Sequence, residues 1–437
     1  MTTFIDGVLD FLDNLDTLKL IAYFWPFFLL DITRYLLLDL IIITLYIPKR
    51  IITYPLRMRA RRQLFKEMPL VSVIVPGKNE GKHIPKLAQT LSKQTYQNLE
   101  IVIVDDGSDD DTAVICRRLE KNGIIDRFIR NEIRGGKASA ANTALRYSHG
   151  KYIVHVDADS HMAEDSIETI LIPFYLDSRI GAVGGDVRVA NTTSSLTSRL
   201  QAIEYMKSIS TGRTVSAVLG ILRIIAGAHG AFRRDILQQI YGWDIGPGLD
   251  GDITLKIRKL GYKVTHEPFA ICYTNVPVRI SKLAKQRYRW DRSMIRFRVR
   301  KHKDIFSPSN SFILSNFIAS VENVFFNIVL NLKWWIYIFQ ILIFNADFIE
   351  YILFINYVLY FSSNVLQYGI ACTLYGHTLR WQELKLSLYL PLMPFYTGLF
   401  LRCVRTYAYI MELLHKTSYR DAWNPWKVSK VAEKENL

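Results

Sequence analysis

Asp157 and Asp159 stand two residues apart at the end of an apolar run, Tyr152-Ile153-Val154-His155-Val156. Carboxylates spaced this way are hard oxygen ligands, the kind that hold Mg2+ or Mn2+ together with substrate phosphates. A strand that ends in them at the carboxyl edge of an open α/β sheet places them where such sheets bind ligands. A solvated loop after a strand carries the same short pattern, so the pair gains meaning only from its neighbours.

Three further polar clusters lie in the same half of the chain. Pro76-Gly77-Lys78-Asn79-Glu80 follows an apolar run at 71–75, Asp105-Asp106-Gly107-Ser108 follows one at 99–104, and residues 131–137, ending in Gly135-Gly136-Lys137, precede a helical stretch. Gathered at one sheet edge, such tips make a pocket for a phosphorylated ligand. In isolation, an Asp-rich turn is a helix cap, and Asp109 and Asp110 are read that way. Asp106, packed at the strand end, is read as functional.

The elements that must position these residues alternate. Strands are expected at 71–75, 99–104, 124–129 and 152–156, and helices at 82–93, 110–121 and 137–147. That alternation predicts a Rossmann-like α/β domain with a mainly parallel sheet covered on both faces.

Composition places this domain beside a membrane. The chain has 437 residues, half of them hydrophobic, and the apolar residues are concentrated at 18–47 and 311–414, leaving 70–303 with the character of a soluble domain. As a single helix, 18–47 would reach about 45 Å, more than the ~30 Å hydrocarbon layer. It holds Asp31, Arg34 and Asp39, with Arg34 one turn after Asp31 and so able to neutralise it. The acidic N-terminus argues against a cleaved leader and for a retained anchor. Downstream, 325–344 and 348–373 are long enough to cross, joined by a turn at 345–347. Residues 386–412 contain Pro391, Pro394, Arg402 and Arg405, and read either as a third span or, preferably, as a re-entrant or interfacial helix.

A net charge of +15 calls for anionic partners. The cations cluster next to apolar segments, after the first anchor and along 279–303, which fits anionic lipid headgroups better than nucleic acid. The positive run after the anchor places the domain on the cytosolic side. Four scattered cysteines show neither metal-site nor disulfide spacing. The division expected is a membrane anchor with a basic juxtamembrane segment at 1–67, a catalytic domain at 68–278, amphipathic interface helices at 279–323, a transmembrane or re-entrant region at 324–414 and a cytosolic tail at 415–437.

Gln286-Arg287-Tyr288-Arg289-Trp290, on the basic stretch after the domain, completes a set that resembles the membrane-bound processive family 2 glycosyltransferases, such as the cellulose, chitin, hyaluronan and poly-N-acetylglucosamine synthases. The resemblance runs from about 71 to 290 and into the flanking apolar segments, and implies a GT-A fold. It also implies that Pro76, Asn79, Glu80 and Asp106 line the nucleobase and ribose, that Lys137 lies near the base or phosphates, and that Asp157 and Asp159 hold Mg2+ or Mn2+ on the diphosphate. Gln286 and Arg289 would grip the diphosphate and Trp290 would pack on the acceptor sugar, in keeping with a guanidinium fork for phosphate and an indole face for a sugar. An interfacial anchor is the alternative for Trp290.

The chain departs from the family pattern at the general base, where the acidic triplet reads Gly248-Leu249-Asp250-Gly251-Asp252, with Leu249 replacing an acid. Asp250 takes the base position; Asp252 is a second candidate with an ordinary explanation as a helix cap. Gly227-Ala228-His229-Gly230 resembles the segment shaping the acceptor pocket, with His229 a further candidate or only a satisfied polar wall. The aromatic residue usual between Pro76 and Asn79 is missing.

The resemblance implies an inverting, metal-dependent hexosyltransferase that polymerises a sugar from a UDP-sugar donor, glucose or N-acetylglucosamine, into an extracellular polysaccharide and feeds it across the membrane. Transfer of a single sugar to a membrane lipid is the alternative, and an inactive nucleotide-sugar-binding scaffold is a third reading. The implied partners are the donor, a growing glycan, membrane lipids and accessory export or regulatory subunits, with no nucleic acid. The tail is too short for an appended cyclic-dinucleotide sensor. The expected location is the cell (inner) membrane, multi-pass.

Overall fold

A computed structural model of the protein describes residues 2–246, 248–307, 312–420 and 424–435. Its centre is an eight-stranded sheet of order β3-β2-β1-β4-β7-β6-β8-β5, built from β1 (Val71–Gly77), β2 (Leu99–Asp105), β3 (Arg127–Arg130), β4 (Tyr152–Val156), β5 (Ser160–Met162), β6 (Ile180–Val189), β7 (His229–Arg233) and β8 (Lys263–Thr274). Strands β3, β2, β1 and β4 are parallel. Beyond them the sheet is mixed, because β7 runs antiparallel to both β4 and β6, and β5 antiparallel to β8. The third strand lies at Arg127–Arg130, slightly later than expected.

Near-continuous runs of β-branched residues are what a sheet buried on both faces requires. In β1, Val73 and Val75 enter one core layer with Leu87, Ile103, Val154 and Ile170. Ile74, pointing the other way, enters a second layer with Val104, Ala140, Ala144, Ile153 and Phe232. Helices Ile84–Ser92 and Ser166–Leu176 cover the first face, and Lys137–Arg146 and Leu249–Lys259 the second.

Two helices, Leu314–Phe344 and Ala346–Thr378, are long and apolar enough to cross a membrane, and the pair Trp381–Leu392 and Pro394–His415, bent by 57°, makes up to three if it is one span. The first begins at Leu314, so it crosses the boundary expected at 323. The N-terminal helical segment is not among these spans. It is broken at Phe24 and carries Asp31, Arg34 and Asp39 beyond the break; it packs on the others through Phe11 and Phe24 against Tyr337, Ile341 and Ile352.

Its charges are neutralised partly within the segment and partly by neighbouring helices. Asp31 pairs with Lys333 at 3.2 Å and accepts from the Tyr360 hydroxyl at 2.6 Å, whereas Arg34 pairs with Asp39 at 3.4 Å and Glu322 at 3.1 Å. The expected Asp31/Arg34 pair does not form, because each side chain meets an opposite charge on a neighbouring helix or, for Asp39, one turn further on.

Part of the cation run along 279–303 is internal, while Arg279, Lys282, Lys285 and Lys303 are exposed. Arg287, Arg292, Arg296 and Arg298 are all buried. Arg287 pairs with Glu204 at 2.9 Å, and Arg292 donates to the Thr417 carbonyl at 2.9 Å. The helix Ile280–Met294 lies between the sheet domain and the last apolar helix, whose Arg405 binds its Asp291 at 3.1 Å.

Polar ties fix the domain to the helical segments, two of them from strands of the sheet. Glu267 of β8 binds Arg50 at 2.8 Å and also Arg57. Asp186 and Arg188 of β6 pair at 2.8 Å, with the Arg188 guanidinium 3.6 Å from the Tyr375 ring centre and donating to Thr378.

Candidate active site

Asp157 follows β4 directly. The chain then leaves the middle of the sheet for its edge, since Ser160, the first residue of β5, pairs with Thr274 of β8. Asp157 and Asp159 therefore sit on a bridge across the carboxyl edge. Gly77, at the end of β1, leaves room for it: a Cβ there would lie 3.3 Å from the Ala158 methyl.

Lys137 reaches Asp157 from the first turn of its helix, its Nζ donating to Asp157 Oδ1. The loop before it is shaped by Asp106, whose Oδ1 accepts from the Gly135 N–H at 2.9 Å and Asn131 Nδ2 at 3.2 Å, and whose Oδ2 accepts from the Gly136 N–H at 2.7 Å. Gly136 has φ +87°, the left-handed region where glycine is unstrained. Asp106 thus holds the glycine loop that presents Lys137.

On the β1 side, Pro76 is buried in the strand opposite Val104. The Asn79 N–H donates to Ser108 Oγ at 2.8 Å, its Oδ1 accepts from the Asp109 N–H at 2.9 Å, and the Glu80 N–H donates to Thr112 Oγ1 at 3.0 Å. These bonds staple the first two polar tips together.

The acids crowd one another. Burial, and then the neighbouring Asp157 charge, push Asp159 up to about 6. Burial with Asp159 and Asp157 pushes Glu80 up to about 7. Asp157 goes the other way: burial alone would raise it, but Lys137, His155 and Arg289 outweigh burial and hold it below the usual carboxylate range. Lys137 is held above the ordinary lysine value, since Asp157 and Asp250 overcome the opposing effect of burial. These influences place Glu80, Lys137, Asp157, Asp159, Asp250 and Arg289 in one electrostatic neighbourhood.

Asp250 lies in the first turn of the helix Leu249–Lys259, and its Oδ2 accepts from the Gly227 N–H at 2.9 Å. The Gly227 carbonyl accepts from His155 Nδ1 at 2.5 Å, which ties the acid to the strand that carries Asp157. Asp252 is not the helix cap, a position held by Gly248. It is buried and bound by Lys301 at 2.8 Å and His302 at 2.7 Å. His229 points into the core, where its Nε2 meets Ser166 Oγ at 2.9 Å, and burial pushes its pKa down to about 3.

Gln286, Arg289 and Trp290 share the helix Ile280–Met294. Gln286 Oε1 is buried with no partner among the described residues, Arg289 bears on Asp157, and Trp290 is half-exposed with the Arg287 guanidinium 4.3 Å from its ring centre. His155 and Arg287 are site residues that the sequence did not single out, whereas Gly227 lies in the glycine-containing segment it did. The His155 position two before Asp157 was the available signal.

Among the described residues no group of three or more His, Cys, Asp or Glu side chains could hold a metal ion by itself. Two crowded carboxylates that need a cation or protons to relieve their repulsion do fit a divalent ion sharing its remaining ligands with a diphosphate.

Residues 72–241 match the family model described as glycosyl transferase family 2. This chain carries a family 2 glycosyltransferase domain. It is related to the poly-β-1,6-N-acetyl-D-glucosamine synthases. One from Staphylococcus epidermidis is 28% identical over 316 residues, 69% of this chain and 74% of that protein. A second S. epidermidis sequence is 30% identical over 222 residues, 50% of this chain and 53% of its own length. The fold is similar to that of a mannosyltransferase from Pyrobaculum calidifontis, solved in complex with GDP-Man and Mn2+, with TM-score 0.56 and 21% identity over 87% of this chain and 99% of that one. The glycosyltransferase domain is thus GT-A-like, with a mixed, mostly parallel sheet and long apolar helices after it.

Proposed function

We propose that the protein is an inverting, processive transferase that builds a polysaccharide from a UDP-sugar at a membrane, with UDP-N-acetylglucosamine the first donor to try. The observation carrying this reading is the convergence of Lys137, Asp157 and Arg289 with Asp250, which is fastened to β4 through Gly227 and His155. The relatives' printed names supply the polymer and the sugar.

In this reading Asp250 accepts the proton of an acceptor hydroxyl as its oxygen attacks the anomeric carbon, a general-base contribution of about 10²- to 10⁴-fold. The bond between that carbon and the diphosphate oxygen breaks in line, and UDP leaves with the electron pair. Lys137 and Arg289 offset the charge that develops on the diphosphate. Asp157 and Asp159 would hold Mg2+ or Mn2+, which supplies further charge neutralisation at the leaving group. Arg287, beside Trp290, shares Glu204 with Tyr396 of the bent apolar pair, which suits an acceptor handed onward to a membrane path.

Membranes containing the protein, incubated with Mn2+ and labelled UDP-N-acetylglucosamine, UDP-glucose or GDP-mannose, test the proposal. The expected product is large and insoluble in organic solvent. Label confined to a short, lipid-extractable product would replace polymerisation by transfer to lipid, and nucleotide release no greater than that of Asp250→Asn would overturn the assignment.

A further inference from the structure

We infer that the segment following the last apolar helix is part of the catalytic architecture: Tyr419 is a positioning residue for Asp250, acting through Arg296. This rests on Asp250 being the base, as proposed above.

The loop leading to Asp250 has little regular structure of its own. Gly246 has φ +120° and Gly248 φ +91°, so neither position readily accepts another residue. What holds this loop is Arg296. A Cβ on Gly246 would lie 2.1 Å from Arg296 Nη1, so the guanidinium fills the space a side chain would take. Its Nη2 donates to the Ile245 carbonyl at 2.9 Å. Two residues earlier, Asp244 is fastened to Lys301, from the same helical stretch, at 2.6 Å.

Arg296 is 3% exposed and is itself held by the chain's end. Its guanidinium carbon lies 5.1 Å from the centre of the Tyr419 ring and it donates to the Tyr419 hydroxyl. Tyr419 is buried, and the turn carrying it is locked at several points. The Ser418 N–H and hydroxyl both donate to Glu412, each at 2.7 Å, and the Thr417 carbonyl accepts from Arg292 at 2.9 Å. Glu412 is fully buried on the last apolar helix, so the turn is pinned both to that helix and to the helix bearing Arg289.

The same segment meets the donor side of the site. A Cβ on Gly136 would lie 2.6 Å from Asn424 Oδ1 and 3.6 Å from the Pro425 ring. Residues either side of 421–423 therefore touch both Arg296, which holds the loop that carries the base, and the glycine loop that presents Lys137. A contact spanning both halves of a site fixes their separation, and misplacement by about 1 Å can cost on the order of 10²-fold in rate.

The test uses the full-length enzyme in lipid nanodiscs, with Tyr419→Ala and Tyr419→Phe. Amide exchange is followed over 244–252, and kcat and donor KM are measured for nucleotide release. For Tyr419→Ala the expected results are faster exchange confined to 244–252, kcat lower by about 10- to 100-fold and donor KM changed by less than about 2-fold. Tyr419→Phe keeps the ring over the guanidinium and recovers most of the rate. Wild-type exchange and kcat in Tyr419→Ala, or a KM that rises together with loss of protection throughout the domain, would overturn the inference. Absence of nucleotide release from the wild-type enzyme with every donor would instead count against the proposed function, and the exchange comparison would still decide the brace.

Discussion

The Gly227 N–H donates to Asp250 Oδ2 at 2.9 Å, and Gly227 has no room for a side chain, since a Cβ there would lie 2.7 Å from Asp250 Oδ1. The glycine thus both orients the carboxylate and lets it approach. Asp250→Asn should lower kcat for sugar transfer by about 10²- to 10⁴-fold with little change in donor affinity. Gly227→Ala should lower kcat by about 10-fold or more, because the added methyl displaces the carboxylate. Steady-state UDP release, with donor affinity from calorimetry, checks both.

Lys137 and Asp157 form a charged pair, which the proposed function places against the donor's diphosphate. A charge-assisted bond to phosphate is worth about 1.5–3 kcal/mol, so Lys137→Met should weaken donor binding by about 10- to 100-fold. Its effect on the base step should be small. Competition binding of UDP against a fluorescent nucleotide measures the first, and single-turnover rates at saturating donor the second.

The crowded acids predict opposite pH responses with and without a cation. Asp159 at about 6 and Glu80 at about 7 lie above their unfolded values of about 4. Their stabilising contribution in the cation-free enzyme is complete below about pH 4 and is lost as pH rises through 6 to 7. Thermal unfolding without cation should therefore move up modestly between pH 8 and 6. Cation binding needs the ionised forms, so Mn2+-dependent UDP affinity should fall with acidification, approaching about tenfold per unit below pH 6. An affinity flat from pH 5 to 8 would remove these carboxylates from the cation site.

The first half of the domain was legible because β1, β2 and β4 are runs of apolar residues closed by turn formers, so pattern and fold agree locally, whereas the short β3, with an arginine at each end, was placed only approximately. The Asp157/Asp159 pair was visible for the same reason, at the end of a strand, whereas Lys137 and Asp250 were picked out through the family resemblance. The antiparallel β7 was not, since His229-Gly230-Ala231-Phe232-Arg233 carries small residues whose strand conformation comes from pairing with β4 and β6. The cations at 287–298 misled, because their spacing matches a helix lying on lipid while the partner of Arg287, Glu204, stands 83 residues away in sequence. His155 and Arg296 were hidden because they act on the peptide groups of Gly227 and Ile245, and no side-chain pattern announces a contact with backbone.

The charges in the apolar helices give a further prediction. Lys333 and Asp31 bury all but 6% and 11% of their side chains and meet at 3.2 Å, with Tyr360 donating to the same carboxylate. Removing one partner of such a pair leaves an unmatched charge in an apolar setting, at a cost of about 3–5 kcal/mol, whereas removing both is often nearly neutral. Lys333→Met should therefore lower the yield of folded protein sharply. Asp31→Asn combined with Lys333→Met should restore much of it, because the amide keeps the Tyr360 hydrogen bond without a charge. Detergent-resistant folded fraction, read by fluorescence-detected size exclusion for both single variants and the double, gives the coupling directly. If the two losses simply add, Asp31 and Lys333 do not neutralise each other and the N-terminal segment is held by its aromatic packing on Tyr337 and Tyr351 and by the Arg34–Glu322 pair.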